Sequence, residues 1–117
     1  MKKHNFRNLK ISQRSIVFSV EIYTITSKFP KEEIYGLTSQ TRRAVVSIAL
    51  NIAEGSGNTS EKEFKRYLEI ALRSTYEVMA CLEIALRMGL CNRETFTLLS
   101  DEADEIAAMI VGFSKTL

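Results

Sequence analysis

QTRRAVVSIALNIAEGSG, residues Gln40 to Gly57, is apolar from Ala44 to Ala53 except at Ser47 and Asn51. Wound as a helix, this run is hydrophobic round most of its circumference, the pattern of a helix packed on several sides. Such a helix requires neighbours. Gln40, Arg43, Ser47, Asn51 and Glu54 step by three, four, four and three, which sets them in one line along it. That line is either a solvent seam or a buried hydrogen-bond ladder. A single polar group buried without a partner costs about 1–3 kcal/mol, so a buried ladder needs mates on facing helices. Arg43, Ser47, Asn51 and Glu54 are the candidate structural polar network, tying this helix to its neighbours and to the turn at Gly55–Gly57.

Upstream, a helix is expected from about Ser12, a candidate cap, to about Lys28. Ile11, Ser15, Phe18, Ile22, Ile25 and Phe29 step by four and three, and Ile16, Val17 and Val20 widen the apolar face. The many β-branched residues would also suit a strand. The long period and the lack of a partner strand favour helix. Phe29-Pro30 ends it, and Thr38 or Ser39 caps the central helix, which Gly55 and Gly57 close by admitting left-handed backbone. Ser60 with Glu63 forms a capping box for a third helix from about Glu61 to Met88, roughly 40 Å long, whose length makes it overhang its neighbours. Phe64, Leu68, Ala71, Thr75, Val78, Leu82 and Ala85 make its seam. Gly89 closes it, and Asn92 caps a fourth helix with a seam through Phe96, Leu99, Ala103, Ile106, Ile110, Phe113 and Leu117. Gly112 in that helix suits either close packing or fraying. Four helices with short links specify an all-α, antiparallel up-down-up-down four-helix bundle.

The chain of 117 residues is read as one domain, with a flexible basic arm at 1–10 and the bundle at 11–117. Residues 1–43 hold nine Lys or Arg against three Glu, a balance of +6, whereas 44–117 hold seven against eleven acids, a balance of −4. Such asymmetry presents a basic face, or lets the two ends neutralise one another within or between subunits. No signal peptide is recognisable, no apolar run approaches the roughly 20 residues of a membrane span, and Cys81 and Cys91 suggest no disulfide framework. A soluble cytoplasmic protein without a membrane partner is the expectation.

Phe6-Arg7-Asn8-Leu9-Lys10, Phe29-Pro30-Lys31-Glu32-Glu33, Tyr35-Gly36-Leu37-Thr38-Ser39-Gln40, and Arg42-Arg43-Ala44 with Asn51-Ile52-Ala53-Glu54-Gly55 closely resemble the bacterial proteins encoded in intervening sequences of 23S ribosomal RNA genes. Glu63-Phe64, Tyr67-Leu68 and Ile70-Ala71-Leu72 to Ser74 resemble the third helix of that family. The resemblance spans nearly the whole chain, and Asn-Ile-Ala-Glu-Gly after the paired arginines is its most specific part. It implies a left-handed four-helix bundle assembled into a homopentameric barrel, with no established catalytic activity. It further implies kinship with accessory proteins of diversity-generating retroelements, whose basic pentamer binds a reverse transcriptase and nucleic acid. Two positions depart from the pattern: members often carry proline where this chain has Ala49, and tryptophan where it has Ser12.

Catalysis finds no centre in the sequence. His4 is the single histidine and lies in the expected arm, no Glu-x-x-His repeat of a di-metal bundle is present, and Gly55-Ser56-Gly57 lacks the lysine of a phosphate loop. Glu32-Glu33 and Asp101-Glu102 read as solvated faces. The expectation is therefore no catalytic residue, no cofactor and no metal. Nucleic-acid binding is the sharper alternative: Lys2, Lys3, Arg7, Lys10, Arg14 and Arg42 are candidate phosphate contacts, multiplied by oligomerisation. Arg42 points about 100° away from Arg43 and is the better placed of the two for a surface contact. The opposing reading is a purely structural oligomeric bundle without nucleic acid, in which the basic residues keep a tail in solution or pair with the acidic fourth helix.

Overall fold

A computed structural model describes residues 4–58 and 60–117, and within them lie four helices: α1 Lys10–Thr26, α2 Leu37–Ser56, α3 Glu61–Arg87 and α4 Arg93–Ser114. Each packs on the next and α4 returns to α1, whereas no Cα of α2 comes within 8 Å of α4, nor any of α1 within 8 Å of α3. This is the antiparallel up-down-up-down bundle. It also corrects one expectation: α2 is flanked by two helices and leaves one side open. The 27 residues of α3, about 40 Å of helix, run most of the 47 Å length of the molecule.

The core is one cluster to which every helix contributes. Phe18 and Ile22 from α1, Val45, Ile48 and Ile52 from α2, Phe64, Leu68, Val78 and Leu82 from α3, and Ile106 and Ile110 from α4 are all buried. Each is worth about 1.5–3 kcal/mol of transfer from water. The first helix departs from its reading. Ile16, Val17 and Val20 do not widen the buried face but stand 44%, 58% and 63% exposed, because the α1 core stripe is fully occupied by Ile11, Ser15, Phe18, Ile22 and Thr26.

Helix ends show where local chemistry was legible. Asn92 Oδ1 accepts from the Thr95 amide at 2.8 Å, and Ser60 Oγ accepts from the Glu63 amide at 3.3 Å. The Glu63 carboxylate turns to Arg66 instead of completing the capping box. Gly89 takes φ +75°, so that the Leu90 amide reaches the Ala85 carbonyl at 2.9 Å and the Gly89 amide reaches Leu86, the six-to-one closure that left-handed glycine permits. Three expected caps are corrected. Ser12 lies inside α1, which begins at Lys10 behind Leu9. Thr38 and Ser39 lie inside α2, whose first amide at Leu37 is instead met by Glu33 Oε1 at 3.1 Å. Gly55 and Gly57 do not adopt left-handed backbone; Gly55 is a buried residue of α2 pressed against α3.

The expected arm is laid against the bundle where it is described. The His4 amide donates to the Ser56 carbonyl at 3.1 Å, its ring meets those of Phe64 and Phe113 at 5.4 and 5.7 Å, and Phe6–Asn8 forms a 3-10 turn. Met1, Lys2, Lys3 and Thr59 lie outside the described residues. Helix α2 runs unbroken through Ala49.

Candidate functional site

The open side of α2 forms, with the end of α1, a groove of about 640 Å³ lined by Tyr23, Arg42, Arg43, Val46, Leu50 and Glu54 among others. Its walls follow from the periodicity of α2. Val45, Ile48 and Ile52 turn inward, so residues half a turn away must face out. Ser19 Oγ on α1 reaches the Val45 carbonyl at 3.4 Å, fixing the register of the two helices. Leu50 stands 61% exposed and Tyr23 44%.

The two arginines exchange the roles their spacing suggested. Arg42 is folded down: its Nε donates to Thr26 Oγ1 at 2.8 Å, a terminal nitrogen donates to the Tyr23 carbonyl at 3.3 Å, and the guanidinium lies 4.6 Å from the centre of the Tyr23 ring. It thereby meets a carbonyl in the last turn of α1, where a cation complements the helix dipole. Arg43 is exposed and has no ion pair with another described residue. Burial direction, which a single heptad cannot reveal, decided between them.

Of the expected polar network, Ser47 and Asn51 come together. Asn51 Nδ2 donates to Ser47 Oγ at 3.0 Å and to the Ser47 carbonyl at 2.8 Å, and Ser74 Oγ on α3 donates to Ser47 Oγ at 2.9 Å. Arg43 and Glu54 are exposed and make no side-chain hydrogen bond with described residues, so the line faces solvent at these two positions and is linked to α3 through Ser47. Gln40, on the same line, donates its side-chain amide to Glu77.

The candidate phosphate contacts are dispersed. Arg14 is held between Glu102, which accepts from its Nε at 2.9 Å and from a terminal nitrogen at 2.7 Å, and Glu105 at 3.7 Å; the Glu102 hydrogen bond raises its pKa still further. That pair joins α1 to α4, so Glu102 is a bridging group and not merely part of a solvated face. Arg7 is exposed beside the Phe6 ring, and Lys10, also exposed, opens α1. Lys2 and Lys3 cannot be placed, lying outside the described residues.

Among the described residues no group of three or more His, Cys, Asp or Glu is placed to hold a metal ion, and no helix is long and apolar enough to cross a membrane. Burial pushes the thiols of Cys81 and Cys91 up from their ordinary pKa, away from the thiolate a nucleophile needs. The feature that sequence reasoning missed is the set of outward apolar side chains, Ile16, Val17, Val20 and Tyr23 on α1 and Leu50 on α2. Its only signal was the surplus of apolar β-branched residues in α1 beyond what one stripe can bury.

No curated protein matches the chain. A solved structure, that of a protein of unknown function from the S23 ribosomal protein family of Bacteroides thetaiotaomicron VPI-5482, superposes with a TM-score of 0.84 at 25% identity, covering 90% of this chain and 95% of that one. The model of the family described as 23S rRNA-intervening sequence protein matches residues 7–112, a range that takes in every part of the groove and reaches all four helices. This chain belongs to the 23S rRNA-intervening sequence protein family.

Proposed function

We propose that this protein is a non-enzymatic assembly unit that works as a homo-oligomer, five-fold as its family resemblance implies. The observation that carries the reading is apolar surface left uncovered on α1 and on α2: Val17, Val20 and Leu50 are each more than half exposed although the core beneath them is complete. Exposed apolar surface of this kind marks an interaction site. Light scattering behind a sizing column at micromolar concentration is expected to report several times 13.3 kDa. A single-chain mass at every concentration would discard the reading.

A second reading, binding of RNA or of a nucleic-acid enzyme such as a reverse transcriptase, is favoured by Arg7 and Lys10, which are exposed and have no ion pair with a described residue. Repetition round an oligomer would turn this weak patch into an avid one. Filter binding to structured RNA at two salt concentrations tests it: affinity should fall steeply with salt and be lost with residues 1–10 removed. Absence of binding at low salt leaves the purely structural oligomer.

A further inference from the structure

We propose that the oligomer, if the assembly reading above holds, is built by two different ridges of the bundle, the outer ridge of α2 in one copy seated along the outer ridge of α4 in the next. On α2 the ridge is Arg43, Ser47, Leu50, Glu54; on α4 and its cap it is Asp104, Ala108, Val111, Lys115. Both step by four, three and four, and both span twelve residues, eleven rises or about 16 Å of helix. Set side by side and parallel, they are complementary at every step: Arg43 meets Asp104, Ser47 meets Ala108, Leu50 meets Val111 and Glu54 meets Lys115.

Three properties of the fold support this pairing. All four charged residues are exposed and none has an ion pair with a described residue of its own chain, while Leu50 and Val111 stand 61% and 37% exposed. The up-down-up-down order makes α2 and α4 parallel and places them at opposite corners, out of each other's reach. A neighbour generated by rotation about an axis along the bundle therefore presents its α4 parallel to this α2. That is the head-to-tail contact from which rings are built.

The heights of the ridges differ by less than one helical turn. Gly55 abuts Phe64, and the Phe64 ring lies 5.5 Å from that of Phe113, so Gly55 and Phe113 stand at about one level. Glu54 opposite Lys115 requires a shift of three residues from that level, about 4.5 Å, within the reach of the two side chains. In a level ring the long Arg43–Asp104 and Glu54–Lys115 pairs reach across that offset, and Leu50 packs between Ala108 and Val111.

Leu50→Glu disables the α2 ridge and Val111→Glu the α4 ridge, each at an exposed position. Measured by light scattering, either variant alone is expected to fall to the single-chain mass with its helical circular dichroism and melting cooperativity retained. Mixed in equal amounts they should form a dimer, since one intact ridge of each kind remains. Arg43→Asp and Asp104→Arg should each weaken assembly at least ten-fold and restore it when combined in one chain. A wild-type oligomer that survives both glutamate variants, or folded variants that stay single-chain on mixing, overturns the two-ridge interface while the assembly reading stands. A single-chain wild type overturns both.

Discussion

A Cβ added to Gly55 would fall 2.7 Å from Cβ of Tyr67 and 2.9 Å from Cδ1 of Phe64. The backbones of α2 and α3 meet there because one of them carries no side chain. Alanine ordinarily stabilises a helix interior by about 1 kcal/mol over glycine, but at this contact the clash with a buried ring outweighs that gain. Gly55→Ala is expected to destabilise by about 1–3 kcal/mol, seen as a lower urea midpoint. Gly112 has nothing within 4 Å of its virtual Cβ, so Gly112→Ala should move the midpoint the opposite way by about 0.5–1 kcal/mol. A rise for both substitutions would refute the close approach at Gly55.

Ser12 is fully buried, and its Oγ is the one buried side-chain oxygen or nitrogen among the described residues without a hydrogen-bond partner. Removing the hydroxyl relieves a desolvation penalty of about 1–3 kcal/mol and improves helix propensity. Ser12→Ala is therefore expected to raise the thermal midpoint, measured at one protein concentration so that association does not enter the comparison. A fall would mean that the hydroxyl has a partner, such as a bound water.

Arg14 and Glu102 form the bidentate bridge between α1 and α4. The side chains remain 39% and 24% exposed, so solvent screens the pair, and about 0.5–1 kcal/mol is the scale for such a geometry. A double-mutant cycle with Arg14→Gln and Glu102→Gln should give that coupling at low salt and lose much of it in molar salt. A coupling indistinguishable from zero at low salt would make the bridge ornamental.

Burial raises the Cys81 pKa although the neighbouring Thr41 hydroxyl opposes the shift, and burial alone raises that of Cys91. The folded chain therefore holds its thiol protons more tightly than the unfolded chain does. Their contribution to stability is full below the ordinary thiol pKa and is lost as pH climbs through the folded values. Thiol labelling at pH 8 should be slower in the native protein than after unfolding in urea, with half-buried Cys91 reacting before buried Cys81. Equal rates in the folded and unfolded states would contradict the burial of both.

Much of the architecture was written in local chemistry. The step-of-four-and-three seams of α3 and α4, the Asn92 cap, the glycine closure at Gly89 and the break at Pro30 each depend on a few adjacent residues, so the chain alone specified four helices and their short links. The apolar faces then required an antiparallel bundle. What the chain could not specify was which way each helix turns about its axis once packed. That rotation laid Arg42 against Tyr23 and freed Arg43, left Val17 and Val20 outside, and made Gly55 a contact point instead of a terminus. Periodicity marks a face, but the depth to which that face is covered depends on residues far away in sequence, and only the assembled helices supply them.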